Sequence, residues 1–304
     1  MDAKIAVLLA AYNGRALIDY QISSILAQNS VDVSLFVSVD RSDDGTEQFI
    51  DQLSLDEDRI RILPHGKGFG GAGPNFYRLI QEVNFSGFDY VAFSDQDDIW
   101  FPNKLLRACE ALTRSGADGY SSNVTAFWPD GRQVFVNKSQ PQVRWDFLFE
   151  AAGPGCTYVI SAKLGFELQA FIIEHHQKMQ KIALHDWFTY AFARSRGYRW
   201  IIDETSGMHY RQHANNQVGV NSGFSAFKSR LKNILSGWAI SQAALIADTL
   251  GLAKKAPVRD WFTGTRLGYL RLMFNAFSCR RRFRDQLLFL VMCLLMAILG
   301  PIKS

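Results

Sequence analysis

The sequence is poor in cysteine and has no C-x-x-C pair. Its 304 residues include only four cysteines, Cys109, Cys156, Cys279 and Cys293, which are widely separated. Scattered thiols argue against a disulfide framework and against a zinc site built on paired cysteines, so we expect buried free thiols in a reducing compartment. The first residues also lack the apolar core of a signal peptide, and we therefore predict a cytoplasmic protein.

The sequence also lacks a long apolar run, an internal repeat and a low-complexity tract. The uncharged stretch 287–302, which follows Arg280, Arg281, Arg282 and Arg284, has 16 residues, whereas a membrane-spanning helix needs about 20. The glycine-rich stretch 66–74 lacks the G-K-[ST] ending of a P-loop, which argues against that class of nucleotide site. Hydrophobic residues nevertheless make up 48% of the chain, enough for a large core.

Positive charge is concentrated near the end of the chain. Residues 224–304 contain 13 lysines and arginines but three acids, whereas residues 1–223 contain 26 acids and 20 bases. We predict a catalytic domain over 1–223 and a basic, amphipathic helical region over 224–304. The basic region is expected to meet an anionic membrane surface, at the inner face of the cell membrane, and not nucleic acid. A helical hairpin that packs on the body or forms a homo-oligomer is the alternative.

Apolar runs and helical patterns alternate over the first hundred residues. Strands are predicted at 4–10, 33–39, 60–63 and 90–94, with helices between them. This order predicts an α/β fold with a Rossmann-like, mostly parallel sheet flanked by helices, and ligands bind such sheets at the carboxyl ends of the strands. Asp40 and Asp95 stand at two such ends. Further on, we predict helices at 102–115, 163–175 and 184–196, a strand at 198–202 and a polar loop at 212–223.

An acidic segment follows the fourth predicted strand. Asp95, Asp97 and Asp98 lie within four positions, and carboxylates at the edge of a core need a cation or a shifted pKa. A hard divalent ion, Mg²⁺ or Mn²⁺, that also holds phosphate oxygens suits this D-x-D pattern. We predict Asp97 as a metal ligand, Asp95 as a second ligand or a ribose contact, and Asp98 as structural. A solvated acidic turn that caps the next helix is the simpler alternative.

Two other segments carry candidate chemistry. Asp186 falls in the first turn of a predicted helix, where an acid either caps the helix or serves as a general base. Residues 209–217 combine His209, Arg211 and His213 on a predicted polar loop. Such a loop suits an anion-binding lid or a further metal ligand, and plain solvent exposure is the alternative.

Seven stretches, taken in order, make the chain resemble the family 2 glycosyltransferases with the GT-A fold. They fall within residues 5–220 and read V-L-L-A-A-Y-N-G, V-S-V-D-R-S-D-D-G-T, G-F-G-G-A-G-P-N-F, Y-V-A-F-S-D-Q-D-D-I-W-F-P-N-K-L, G-C-T-Y-V-I-S, H-D-W and Y-R-Q-H-A-N-N-Q-V-G. The S-D-Q-D-D-I-W and Y-R-Q-H forms are similar to bacterial rhamnosyltransferase-like members. These typically use a dTDP-sugar to build cell-surface polysaccharide.

The resemblance implies a role for each candidate residue. The residues that would contact the nucleotide-sugar donor are Ala11, Tyr12, Asn13, Asp40, Asp95, Gln96, Arg211 and His213. Asp97, together with Asp95, would bind Mg²⁺ or Mn²⁺, and Asp186 would deprotonate the acceptor hydroxyl. His185 stands where many members have glutamate, and Arg41 replaces an acidic or small residue.

The resemblance also implies a reaction. It is the inverting transfer of a sugar, best matched by rhamnose from dTDP-rhamnose, to a hydroxyl of a saccharide or of a polyprenyl-diphosphate-linked acceptor. A sugar-1-phosphate nucleotidyltransferase is one alternative, although Tyr12-Asn13-Gly14-Arg15 stands where that class has a glycine-rich loop. A non-catalytic membrane-binding scaffold is the other.

Overall fold

The computed structural model of the protein describes residues 2–66, 68–212 and 237–300. The chain divides into two compact units, the first of Met1–Ser139 and Ala152–Gly219, the second of Gln140–Ala151 and Val220–Ser304. The short segment Gln140–Ala151 thus belongs with the C-terminal residues, although it lies in the middle of the sequence. The boundary predicted after residue 223 falls outside the described residues.

Strands and helices alternate in the first unit. Its first half contains β1 (Ala3–Ala11), α1 (Ile18–Leu26), β2 (Val31–Val39), α2 (Thr46–Asp56), β3 (Ile60–Ile62), α3 (Ala72–Glu82) and β4 (Tyr90–Ser94). Its second half contains β5 (Ile99–Trp100), α4 (Lys104–Ser115), β6 (Gly119–Phe127), β7 (Gln133–Val136), a 3₁₀ turn (Gly155–Thr157), β8 (Val159–Ser161), α5 (Ala162–Glu174), α6 (His176–Met179), α7 (His185–Ser195) and β9 (Trp200–Arg211). The predicted α/β class is confirmed.

The strands of this unit form one mixed sheet. Within the described residues its order is β3-β2-β1-β4-β8-β6-β9-β5, with β7 paired to β6. The half β3-β2-β1-β4 is parallel, as predicted, because helical crossovers connect its strands. In the other half β8 runs antiparallel to β4 and β6, while β9 runs parallel to β6 and antiparallel to β5. The parallel character therefore belongs mainly to the half that carries the predicted donor site.

Strand β1 lies at the centre of the parallel half. Its residues from Ile5 to Leu9 are fully buried, because β2 and β4 flank the strand and helices cover both faces of such a sheet. Helix α1 contributes Ile18, Ile22 and Ile25 to this core. The carboxyl ends of β1, β2 and β4 consequently meet at one edge of the sheet, where Asp40 and the acidic segment follow their strands.

Strand β9 is much longer than predicted. We expected a strand at 198–202 and a polar loop from residue 209, whereas β9 runs from Trp200 to Arg211. The residues in its middle are polar, but β6 and β5 supply backbone partners for the strand. Asn123 of β6 also donates a side-chain hydrogen bond of 2.8 Å to the Glu204 carbonyl, beside an irregularity in the β6–β9 register. His209 and Arg211 therefore lie on a strand and not on a loop.

The second unit is helical where it is described. It contains 3₁₀ turns at Asp146–Leu148 and Val258–Asp260, and the helices α8 (Trp238–Thr249), α9 (Arg266–Met273), α10 (Ala276–Cys279) and α11 (Phe283–Leu299). Over the described ranges, no helix has the length and apolarity that crossing a membrane requires. All four cysteines of the chain are buried and free, as expected.

A buried cluster of ion pairs ties Gln140–Ala151 to the C-terminal helices. The Arg281 side chain is 1% exposed, and its guanidinium lies 3.4 Å from Asp146 and 3.6 Å from Glu150. Arg280 donates a hydrogen bond of 2.7 Å to the Phe149 carbonyl. Both arginines looked like part of the basic flank before the uncharged stretch 287–302. They instead face inward and pair with Asp146 and Glu150, because a buried guanidinium needs a carboxylate partner.

Candidate active site

Asp40 organises the wall of the candidate site that follows β2. It is buried, and its Oδ1 accepts hydrogen bonds of 2.8 Å from the backbone N–H groups of Arg41 and Phe69. Because Phe69 belongs to the glycine-rich stretch 66–74, this carboxylate holds that loop at the edge of the sheet. A Cβ on Gly68 would lie 3.5 Å from the same oxygen. The predicted contact of Asp40 with a nucleotide stays a prediction.

The Gln96 amide joins the acidic segment to the end of β1. The backbone N–H of Tyr12 donates to Gln96 Oε1 at 2.7 Å, and Gln96 Nε2 donates to the Tyr12 carbonyl, also at 2.7 Å. A Cβ on Gly14 would overlap Gln96 Oε1, so a side chain there would displace the Gln96 amide. The Tyr12 ring is 56% exposed. Gln96 thus fixes the spacing of two loops, and the predicted contact of Tyr12 with the donor stays a prediction.

Two asparagines hold the other loops at this edge. Asn13 has a positive φ of 44°, and its Oδ1 accepts a hydrogen bond of 3.0 Å from the Asp43 N–H. Asn75, in the first turns of α3, donates to the carbonyls of Ala11 at 3.3 Å and Ser38 at 3.1 Å. Asn75 lies within the quoted stretch G-F-G-G-A-G-P-N-F, but its tie between β1 and β2 was not predicted.

The acidic segment meets Cys156 of the 3₁₀ turn Gly155–Thr157. Oxygen atoms of Asp95 and Asp98 and the Cys156 sulfur all lie within 4.8 Å of one another. Burial and the nearby charges of Asp97 and Asp186 raise the pKa of Asp95 to about 7. Burial and the same kind of repulsion raise the pKa of Asp98 well above its usual value, and burial raises that of the Cys156 thiol. If all its acids were ionised, the segment would therefore hold more negative charge than its surroundings neutralise.

This excess of charge fits a divalent cation. Two carboxylates with raised pKa values beside a third acid are what a hard oxygen-binding ion would stabilise. Cys156 is a poor ligand for such an ion, because Mg²⁺ and Mn²⁺ prefer oxygen and the buried thiol keeps its proton. Asp98 is completely buried and its Oδ1 accepts from the Arg211 N–H at 3.1 Å. Its Oδ2 is buried without a hydrogen-bond partner. The cluster of possible ligands found among the described residues contains Asp95 and Asp98, and the pair of Asp95 and Asp97 stays a prediction.

Strand β9 brings Arg211 to the acidic segment. Its Nε donates to the Asp97 carbonyl at 2.8 Å, and its guanidinium lies 4.6 Å from the centre of the Phe127 ring. His209 instead lies edge-on between the rings of Phe101 and Phe127, where burial lowers its pKa. His209 is therefore not paired with Arg211 in an anion-binding lid. His213, predicted to contact the donor, lies outside the described residues.

Asp186 opens α7 as predicted. Its Oδ1 accepts a hydrogen bond of 2.7 Å from the adjacent Trp187 N–H within the first turn, whereas the N-cap residue of the helix is Leu184, whose side chain makes no capping bond. Burial raises the pKa of Asp186 to about 6, while backbone N–H groups and the charge of Lys138 oppose that rise. Asp186 also raises the pKa of Asp95, so the two carboxylates face the same region. A carboxylate with these properties can accept a proton near neutral pH.

His185 is a packing residue. Its ring stacks on Phe76 with centroids 3.7 Å apart, and Phe93 lies on a further side at 5.8 Å. Burial lowers the pKa of His185 to about 3, so the imidazole is neutral. His185, which stands where many family members have glutamate, thus packs in the core at the start of α7 and carries no charge.

A lysine that the sequence did not single out lies beneath the acidic segment. Lys104 begins α4 and is buried, with its Nζ 3.5 Å from the centre of the Trp100 ring. Burial lowers its pKa to about 7, while Cys156 and Asp98 favour its charged form. Its aliphatic stem packs on Gly207, where a Cβ would lie 3.1 Å from Lys104 Cγ. Lys104 thus places an amine, protonated only in part near neutral pH, on the core side of the D-x-D segment.

The position of Asp186 depends on the absence of a side chain at Gly155. A Cβ there would lie 2.7 Å from His185 Nε2 and 3.0 Å from the Asp186 Cβ. We expect Gly155→Ala to cost about 1–3 kcal/mol of stability and to lower turnover by displacing Asp186. Thermal unfolding and steady-state rates would measure both effects. Gly66→Ala is the matched control, because its Cβ would meet Phe69 at an ordinary 3.4 Å; equal effects of the two changes would contradict this account.

The fold is of the GT-A type, as predicted. The chain superposes on Staphylococcus aureus TarS 1-349 with a TM-score of 0.57 over 97% of this chain and 81% of that one, at 14% identity. It also superposes on a mannosyltransferase from Pyrobaculum calidifontis, solved with GDP-Man and Mn²⁺, with a TM-score of 0.51 over 98% and 88% of the two chains, at 13% identity. Identities this low establish the shared fold.

The sequence comparisons identify the family. The model of glycosyl transferase family 2 matches residues 6–164, and the chain belongs to that family. A dTDP-rhamnosyl transferase from Shigella flexneri, RfbG, is 43% identical over 94% of this chain and 99% of its own length. A glucosyltransferase from Escherichia coli, WfgD, is 26% identical over 52% of this chain and 60% of its own. The predicted family and the predicted enzyme class are confirmed. The comparisons therefore favour the glycosyltransferase over the two alternatives, a sugar-1-phosphate nucleotidyltransferase and a non-catalytic scaffold.

Proposed function

We propose that the protein transfers rhamnose from dTDP-rhamnose to a hydroxyl of a growing surface polysaccharide or its lipid-linked precursor. The observation that carries the proposal is the 43% identity with the Shigella flexneri dTDP-rhamnosyl transferase over 94% of this chain. Because that alignment takes in 99% of the relative, it spans both the strand ends and the later residues on which an acceptor site would depend. The lipid-linked acceptor is supported by the name of WfgD, which acts on a diphosphoundecaprenol-linked sugar.

We propose Asp186 as the base that activates the acceptor. It lies at the first turn of α7 and shares a region with Asp95, and burial raises its pKa to about 6. A base with that pKa is deprotonated at neutral pH and still accepts a proton from a hydroxyl in the transition state. Direct attack by that hydroxyl in one displacement inverts the anomeric carbon. Such a step needs no second carboxylate as a nucleophile.

We propose that Asp97 and Asp95 hold Mg²⁺ or Mn²⁺. When bound, such an ion neutralises charge on the departing diphosphate. The Arg211 guanidinium, held beside the Asp97 carbonyl, offers a second positive group for the same diphosphate. Ala11, Tyr12, Asn13, Asp40 and Gln96 then form the wall that faces the nucleoside. Tyr12 and Asn13 are the exposed members of that wall, and Gln96 acts on the donor through the Tyr12 backbone.

We further propose that the protein works at the inner face of the cell membrane, as a peripheral protein. A polyprenyl-linked acceptor resides in a membrane, and residues 224–304 carry 13 bases against three acids. Attraction to anionic lipid would bring the enzyme to its acceptor. Self-association through the C-terminal helices remains the competing prediction.

Donor binding tests the proposed substrate without knowledge of the acceptor. Calorimetric titration with dTDP-rhamnose, dTDP-glucose and UDP-glucose, each with and without Mn²⁺, separates the contribution of the base from that of the sugar. We expect dTDP-rhamnose to bind about tenfold or more tightly than either of the others, and only with Mn²⁺ present. Equal binding of the two dTDP-sugars would refute rhamnose as the donor. Equal binding of all three would also refute the proposal that the donor carries dTDP.

A further inference from the structure

The last helix of the second unit exposes an apolar face. Helix α11 has no charged residue from Gln286 to Leu299, and six of its apolar side chains are between 38% and 60% exposed. These six form what we call the apolar stripe: Leu287, Leu288, Val291, Leu294, Leu295 and Ile298. Their spacing of three and four residues places them on one side of the helix.

The opposite side of α11 is already occupied. Phe289, Met292, Cys293 and Met296 are buried within the second unit. Helix α11 packs on protein along one side, so lipid could not surround it. Its 17 residues span about 26 Å, which is less than the thickness of the hydrocarbon core of a bilayer. The helix can instead lie flat, with the apolar stripe turned outward.

Arginines lie at both ends of the apolar stripe. Arg284 precedes Leu288 by one helical turn and its side chain is 64% exposed, with Asp285 at 3.5 Å. At the other end, a Cβ on Gly300 would lie 3.6 Å from Arg266 Nε, which places that guanidinium beside the last turn. Residues 237–300 contain nine lysines and arginines against three acids, and seven of these bases remain when Arg280 and Arg281, which pair with Asp146 and Glu150, are set aside. The surface is therefore apolar in its middle and has an arginine at each end.

We infer that the apolar stripe is the surface on which this protein lies against anionic lipid. Acyl chains would cover the leucines, and acidic headgroups would meet Arg266 and Arg284. A second copy of the chain is a poorer occupant, because either alignment of two α11 helices brings arginine toward arginine. The inference deepens the peripheral location proposed above and rests on it. Its test measures lipid binding alone, so its failure is distinguishable from failure of the proposed reaction.

Cosedimentation of the full chain with vesicles tests the inference. We expect binding to vesicles of equal parts phosphatidylglycerol and phosphatidylcholine, and weak binding to phosphatidylcholine alone. The double variant Leu288→Glu/Leu295→Glu should bind about a hundredfold more weakly. Leu55→Glu is the matched control, since Leu55 is a 78% exposed leucine of α2, and it should bind as the unchanged chain does. Circular dichroism would establish that each variant is folded.

A second variant tests the cationic ends. Arg266→Gln/Arg284→Gln keeps the apolar stripe and should weaken binding to the anionic vesicles by about tenfold or more, with no change on neutral vesicles. Light scattering of the chain without lipid supplies the competing outcome. A dimer that Leu288→Glu/Leu295→Glu dissociates, without vesicle binding by the unchanged chain, would overturn the inference and assign the stripe to a second copy.

Discussion

Replacing Asp186 with asparagine is expected to lower the rate of sugar transfer by about 10²–10⁴-fold. Asparagine can still accept the Trp187 N–H hydrogen bond, so the contacts of the first turn of α7 are preserved. What the variant loses is the ability to take a proton from the acceptor hydroxyl. Donor affinity, measured by calorimetry, should change by no more than a few-fold, because the nucleoside wall is built from the ends of β1 and β2. Loss of binding and turnover together would point to a structural role instead.

The pH dependence of the unchanged enzyme provides an independent check on the same residue. Because burial raises the pKa of Asp186 to about 6, kcat/KM should fall as the pH drops through about 6 and the base becomes protonated. The residual activity of Asp186→Asn should lack that step. Asp130→Asn is the matched control: Asp130 lies in an exposed turn where its Oδ1 accepts from the Arg132 N–H. It should keep both the rate and the profile of the unchanged enzyme.

The parallel half of the fold was predictable because its signals are local. Continuous apolar runs such as β1 can only be strands buried on both faces, and each is followed by a helical pattern. Strand β9 was not predictable in the same way. Its polar middle is held by hydrogen bonds to β6, and such pairing is a property of distant residues that no local pattern records.

The candidate site was likewise predictable only where its residues follow elements with local signals. Asp40, Asp95 and Asp186 follow elements that the sequence indicates clearly, and the fold brings Asp95 and Asp186 together. Cys156 and Lys104 lie within the stretches that resemble the family, but no role was predicted for either, because only the folded sheet places them near Asp98. His209 gave a false signal, since its neighbours Phe101 and Phe127 come from other strands and loops.

Asparagine at position 97 is expected to abolish the dependence of turnover on Mn²⁺. Asp97 is 9% exposed and lies in the segment whose neighbouring acids have raised pKa values, so its carboxylate is placed to share a cation with Asp95. Loss of one carboxylate ligand removes stabilisation of the departing diphosphate, which we expect to lower kcat by about 10²–10³-fold. Titration of Mn²⁺ into the protein, followed by the electron paramagnetic resonance of the free ion, would measure the loss of affinity directly.

Asp98→Asn is the matched control, because the two aspartates are adjacent and both buried but differ in their surroundings. Asp98 Oδ1 accepts the Arg211 N–H, and burial with two neighbouring acids raises the pKa of Asp98 well above its usual value. A neutral amide is therefore close to the state that the carboxyl already adopts, and Mn²⁺ affinity should stay within a few-fold of the unchanged protein. If Asp98→Asn loses the metal and Asp97→Asn keeps it, the ion belongs to the cluster of Asp95, Asp98 and Cys156. The thiol would then have to surrender its proton on binding, and Zn²⁺ would compete strongly with Mn²⁺.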